Sequence, residues 1–440
     1  MIPPMLTTPA AATQSGATLR RALGRWDLTA IGINQVIGSA IFLMPSQVAA
    51  LIGAWSPVAF VLMGLASLSV ALCFAEVGSR FDGTGGPYLF TRAAFGRFVG
   101  FEVGWMQWFT RAASQATIMA GTTLALGYYW PAAVAGWPRA VVILTITAAL
   151  AWVNVRGIRQ GALVVNALTI AKLLPLAIFI VAGLTFVESS RLTTLPPLSV
   201  RQALSGGLLL IFMYGGYEVV PVPGGEAIEP RRDVPFALVL TIVVVGAVMT
   251  LAQVVAQGVL PDLAVHTTPI ADAAAVFLGA SGALLVGVGS LLSMTGNNAG
   301  QVLTGARMIF ALAEQGQLPA WFGRIHTRFH TPANAVLFTS SVAAALALSG
   351  SFARLAVVAA LAKLIMYAGC AAAVLRLRSR PGGLRAATFV VPLGPVVPII
   401  ALVVSIGIGF GATREQLLGG LAALALGALL YASQRMGIGD

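Results

Sequence analysis

Two short runs of small residues break apolar stretches of this chain at comparable places: Ile37-Gly38-Ser39-Ala40-Ile41-Phe42 in the first and Tyr214-Gly215-Gly216-Tyr217-Glu218 in the sixth. A helix that unwinds at such a point frees backbone N–H and C=O groups, and lipid offers them no partner, so protein or ligand must. Beyond the first break, the N–H groups near Ser39–Phe42 and a positive dipole end suit an anion such as a carboxylate. The carbonyls before the breaks, around Ile33–Val36 and Phe212–Tyr214, suit an ammonium. A zwitterion therefore matches both poles without any charged side chain. The plainer reading is helix packing, since small residues let membrane helices approach closely.

Charged side chains inside the apolar stretches are the next candidates. Lys172 lies well within the fifth, where a cation costs at least ~2.5–3.5 kcal/mol unless paired or neutral. It reads either as a proton-responsive coupling group or as an ammonium capping the carbonyls of broken segment 1. Arg111 in the third stretch needs a partner or water, because a guanidinium stays charged. Glu218 is expected to pair with it; the sharper alternative is that Glu218 faces the site and selects cationic side chains. Lys363 is a further internal cation for which packing or snorkelling serves as well as function. Phe42, Tyr214, Tyr217, Trp105 and Trp108 could line the site, although core or interface packing is the simpler account of both tryptophans. His326 and His330 stand four apart, but His266 maps to the opposite face, so no metal and no cofactor is expected. Cys73 and Cys370 read as small buried apolar residues.

These groups must be positioned by membrane-spanning helices. The chain of 440 residues is 58% hydrophobic and 9% charged, with a mean hydropathy of +0.90, which excludes an ordinary soluble domain. Continuous apolar runs long enough to cross ~30 Å of hydrocarbon predict twelve spans. They lie near 28–51, 57–79, 98–127, 138–155, 161–186, 203–225, 235–260, 276–306, 333–350, 354–375, 390–410 and 415–433. The net charge of +12 is topological and gives no cause to invoke nucleic acid: eighteen arginines fall on one side of this layout and five on the other. The positive-inside rule then places both termini in the cytoplasm. Residues 1–19 read as a disordered cytoplasmic tail with no removed signal peptide, and 20–440 as a single transmembrane domain. Segments 1 and 6 share the glycine break and segments 5 and 10 share the lone lysine. This suggests a five-plus-five inverted repeat, about 26–186 and 202–376, with two extra helices at about 390–433.

The sequence resembles an amino acid permease of the amino acid–polyamine–organocation (APC) superfamily over nearly its whole length. Gly38-Ser39-Ala40-Ile41-Phe42 is similar to the family's Gly-Ser-Gly-Ile-Phe break. Glu76-Val77-Gly78-Ser79-Arg80 with Gly85-Gly86-Pro87-Tyr88 resembles the loop after span 2. Gly225-Glu226 with Glu229-Pro230-Arg231-Arg232-Asp233-Val234-Pro235 resembles the loop after span 6. Gly305-Ala306-Arg307-Met308, followed by Glu314, Gly316, Leu318-Pro319 and Thr331-Pro332, resembles the loop after span 8. Ala40 replaces the family's second glycine, and Asp82 stands where proline is common. The resemblance implies that Lys172 takes the place where sodium-coupled relatives bind a cation, hence a proton-responsive or ion-independent cycle.

The expected function is secondary transport of amino acids across the cytoplasmic membrane by alternating access, proton-coupled or exchanging and independent of sodium. The partners implied are a small amino acid, protons and the lipid bilayer. The site residues are Ile37, Gly38, Ser39, Ala40, Ile41, Phe42, Phe212, Tyr214, Gly215, Gly216 and Tyr217, with Lys172 for coupling. A cationic amino acid or polyamine antiporter is the alternative. An embedded enzyme would need a nucleophile–base pair or a metal cluster within the spans, and the sequence offers none. A nutrient sensor would normally add a soluble output domain.

Overall fold

The computed structural model describes residues 18–127, 130–193, 195–349, 352–379 and 384–436. Apart from Thr18 and Leu19, the expected tail at 1–19 lies outside the described residues. Among the described residues regular structure is helical, save one parallel bridge between Leu23 and Ala227. The principal helices are α1 (Arg25–Val36), α2 (Ser56–Gly78), α3 (Arg97–Gly127), α4 (Gly136–Arg156), α5 (Ile158–Gly183) and α6 (Val200–Tyr214). They continue with α7 (Pro230–Val259), α8 (Pro269–Glu314), α9 (Ala333–Ser349), α10 (Phe352–Arg378), α11 (Val396–Gly409) and α12 (Arg414–Met436).

Seven helical stretches are long and apolar enough to cross a membrane, and α6, α9 and α11 are shorter apolar helices. The helices α3 and α10, of 31 and 27 residues, are long but carry internal charge. The chemistry of the ends is legible locally. Proline opens α7 and α8, where its missing N–H has no helical partner to lose. Ser199 caps α6 by accepting from the Gln202 N–H, and Gln202 reaches back to the Ser199 N–H at 3.1 Å.

Two elements depart from the expected runs. The eighth extends over 46 residues, Pro269–Glu314, and bends at Gly279, whose φ of 65° an L side chain would rarely adopt. The sixth run, 203–225, was expected to break at Tyr214–Glu218; α6 stops at Tyr214, inside that break, but no second half-helix follows it. Only the short 3-10 turns Tyr217–Val219 and Gly224–Glu226 follow. Pro221 and Pro223 remove two N–H donors there, so an α-helix has too few bonds to form.

Segment 1 lies at the centre of the fold. Helix α1 packs against α7, α5 and α8, and α8 in turn packs on α5 and α3. Leu28, Ile31, Asn34 and Ile37 are fully buried. At the arginine-rich end, buried ion pairs close the bundle. The Arg307 guanidinium holds the Glu226 carboxylate through two bonds of 2.8 and 3.0 Å, both side chains fully buried. Arg378, partly exposed, grips the buried Glu76. The Glu226 carbonyl also accepts from the N–H groups of Ala22 and Leu23, fixing the entry to α1.

Candidate functional site

The two breaks meet. Gly216 has a φ of 144°, and a Cβ there would stand 2.5 Å from the Gln35 carbonyl oxygen and 2.7 Å from the Val36 nitrogen. Only glycine permits both this conformation and this approach.

On the segment 1 side, the carbonyls released by the end of α1 are already used. Lys172 Nζ donates to the carbonyls of Ile37 at 2.6 Å, Asn34 at 3.2 Å and, on α8, Ser293 at 3.2 Å. Asn297 Nδ2 donates to the carbonyls of Asn34 and Gln35 at 3.1 and 3.0 Å. Ser293 Oγ donates to those of Ile37 and Gly38 at 3.1 and 2.9 Å. The Ile33 and Val36 oxygens accept from the N–H groups of Ile37 and Gly38. In return Asn34 Nδ2 and Gln35 Nε2 donate to the Gly296 and Asn297 carbonyls at 2.6 and 2.9 Å. Gly296 and Gly300 allow this proximity, since a Cβ on either would collide with Asn34 or Gln35.

The donors past the break are different. Among the described residues, the N–H groups of Ser39, Ala40 and Ile41 make no hydrogen bond, whereas that of Phe42 donates to the Ser39 carbonyl at 3.1 Å. Ser39 and Ala40 are half-buried, and Ile41 and Phe42 are buried. The break thus presents three unengaged donors on one side and a saturated set of acceptors on the other. An anion fits the first; the second already holds its cation, Lys172.

On the segment 6 side, the Arg111 Nη2 donates to Glu218 Oε1 at 2.8 Å, with 2% and 0% of the two side chains exposed. The other carboxylate oxygen accepts from the Gly216 N–H at 2.6 Å and from the Tyr367 hydroxyl at 2.9 Å. Arg111 also reaches Gln35 Oε1 at 3.4 Å, joining the two breaks through one guanidinium. Tyr217 stacks on Tyr367 with centroids 5.4 Å apart. The Tyr214 hydroxyl turns away to the Phe60 carbonyl at 2.8 Å, so this residue offers the site its backbone. The Lys363 ammonium lies 4.9 Å from the Phe212 ring centroid. It also lies against Gly215, where a Cβ would come within 2.5 Å of Nζ.

Both tryptophans are committed to neighbouring helices. Trp108 Nε1 donates to Thr339 Oγ1 at 3.1 Å, and Trp105 Nε1 to the Ala423 carbonyl at 3.2 Å. His326 and His330 stay in the loop after α8, where His330 Nδ1 is 3.0 Å from the Thr18 carbonyl oxygen. Cys73 and Cys370 are buried free thiols.

Sequence reading did not single out Asn34, Gln35, Ser293, Asn297 or Tyr367. A signal existed for two of them: Ser293 and Asn297 recur, with Gln301, every fourth residue of an apolar helix, so they share one face. Intramembrane polar residues on a common face turn toward protein.

A multi-pass helical chain whose broken segments touch at a buried polar centre is the architecture of a membrane transporter. Residues 23–421 match the amino acid permease family, and the chain belongs to that family. It is similar to the methylthioribose transporter of Bacillus subtilis, with 26% identity over 96% of this chain and 94% of that protein. The serine/threonine exchanger SteT of the same organism is 29% identical over 87% and 89% of the two chains. Its branched-chain amino acid permease BcaP is 26% identical over 89% and 88%.

Proposed function

We propose that this permease carries amino acids across the cytoplasmic membrane by alternating access, without sodium. Its twelve spans would be organised as a five-plus-five inverted repeat with both termini in the cytoplasm. The observation that carries this reading is the polarity of the first break. Three unengaged N–H groups, Ser39, Ala40 and Ile41, receive the substrate carboxylate, because they open the helical turn Ala40–Leu43, which Pro45–Ile52 continues, and aligned donors at such a start favour negative charge.

Lys172 supports the sodium-independent part. Its ammonium is bound by three carbonyls in a buried cage, which is the coordination a bare monovalent cation would seek. A covalently attached cation in that cage leaves a soluble one no place to bind. The substrate amine then belongs at the end of α6, the pole whose carbonyls Lys172 and Asn297 do not reach. This assigns Gly38–Phe42 to the carboxylate and Phe212–Tyr217 to the amine and side chain.

A neutral side chain fits best. Glu218 is fully buried with its charge paired to Arg111 and both oxygens hydrogen-bonded, so that carboxylate is not turned to a basic substrate. Arg111 and Lys363 add positive charge beside the break, which disfavours lysine, arginine and polyamines. Reconstitution into liposomes tests the reading with an amino acid panel, with and without sodium and an inward proton gradient. Saturable uptake or counterflow of neutral amino acids in sodium-free buffer is expected. No movement of any amino acid would refute it.

A further inference from the structure

A cavity of about 720 Å³ opens on the arginine-rich face, away from the breaks. It lies between the α4–α5 junction, the loop joining α8 to α9, and the segment entering α1. Arg20, Arg156, Arg159 and Arg328 stand in its wall, and no aspartate or glutamate does. Other arginines of this face, Arg25, Arg80 and Arg385 among them, have a carboxylate within 4.0 Å. Among the described residues these four have none. Four like charges around one cavity repel each other unless a counter-ion enters.

Two of the guanidinium groups are also held by aromatic rings. Arg156 stacks on Trp152 at 4.6 Å and on Phe329 at 5.7 Å, and Arg328 lies 5.5 Å from the other ring, Phe329. Stacking leaves the guanidinium edges free for the planar, bidentate bonding that suits phosphate. The first residues of α5, Ile158 to Gln160, line the same cavity after the turn at Gly157. A 26-residue helix therefore adds its positive dipole end to the arginine cluster.

The rim is apolar and faces outward. Trp152 and Leu163 are 58% and 57% exposed, and Ile170, Leu174 and Val181 continue an exposed stripe along α5. We propose that this cavity binds a phosphate-bearing anion, delivered as the headgroup of an anionic phospholipid whose acyl chain runs along that stripe. Basic pockets at the ends of spans suit such headgroups, and the occupant would tie the entry of α1 to the α8–α9 loop.

Purified protein titrated with dioleoylphosphatidylglycerol, dioleoylphosphatidylcholine or inorganic phosphate tests this by native mass spectrometry and thermal unfolding. Phosphatidylglycerol is expected to bind and raise Tm, and Arg156→Gln with Arg328→Gln to weaken it by about tenfold or more. Arg201→Gln with Arg414→Gln, which removes the same charge elsewhere, is expected to leave binding intact. Equal phosphatidylglycerol affinity in the first variant and the parent overturns the site, as does equal affinity for phosphatidylcholine. Stabilisation and competition by millimolar inorganic phosphate alone overturns the lipid source in favour of a soluble phosphate. Should the Gln variant fail to fold, Arg156→Lys with Arg328→Lys keeps the charge and removes the fork; undiminished binding there also overturns the proposal.

Discussion

Lys172 and Lys363, the only lysines in the chain, stand in matching relation to the two breaks, yet only one is hydrogen-bonded there. Lys172 on α5 donates to three carbonyls around the end of α1. Lys363 on α10 lies beside Gly215, just past the end of α6, and makes no hydrogen bond among the described residues. Both ammonium groups sit near the negative dipole end of a half-helix, where a cation is stabilised. The first is fixed as structure, whereas the second is held by the Phe212 face and by the field of its neighbours.

Lys363→Met should therefore change selectivity more than folding. With the ammonium gone, lysine and arginine should compete with neutral amino acid uptake better than they do in the parent, by about tenfold if repulsion near 1.4 kcal/mol is relieved. Inhibition constants for lysine and leucine measure this. Identical ratios in variant and parent would sink the selectivity role.

Lys172→Ala removes a charged donor shared by three buried carbonyls, of which Asn34 and Ile37 keep only the Asn297 and Ser293 side chains; losing hydrogen bonds to a charged group costs about 1.5–3 kcal/mol. Thermal unfolding should show marked destabilisation, and transport at permissive temperature should lose its dependence on pH. Retention of the parent's pH profile would exclude Lys172 from coupling.

Glu218→Gln and Arg111→Met each break a pair buried in the membrane, an effect of about 3–5 kcal/mol because the remaining charge is stranded. The double variant should recover part of that loss, as a double-mutant cycle would reveal. Glu218→Gln should not shift the lysine-to-leucine preference toward leucine, since the Glu218 oxygens point to Arg111, Gly216 and Tyr367. A clear shift in preference for Glu218→Gln with unchanged Tm would place this carboxylate in the substrate site instead.

Gly216→Ala introduces a Cβ 2.5 Å from the Gln35 carbonyl oxygen at a φ of 144°. Strain of this kind costs about 1–3 kcal/mol before any clash is counted. The breaks must separate to accommodate it, so the variant should reach the membrane with transport reduced at least as strongly as stability. Parental transport kinetics would show that the contact between the breaks is dispensable.

The membrane class, the helical segments and both breaks were legible in the sequence because each depends on local chemistry. Apolar length fixes what can cross a bilayer, and clustered Gly, Ser and Ala mark where a helix stops paying its way in hydrogen bonds. Ile37–Phe42 and Tyr214–Glu218 could be located from that alone, and so could Arg111, Lys172 and Lys363 as charges in apolar surroundings. That Lys172 could cap carbonyls of segment 1 was legible, but that it takes those of Asn34 and Ile37 together with Ser293 of α8 was not, because all three come from segments more than a hundred residues away. The pairing of Glu218 with Arg111 was expected from two opposite charges in apolar surroundings, but its bond from Tyr367 was not, nor was the arginine cavity, whose walls come from three separated stretches. Hydrogen bonds and ion pairs depend on distances between helices, and those distances are set only when small residues such as Gly216, Gly296 and Gly300 let particular backbones touch.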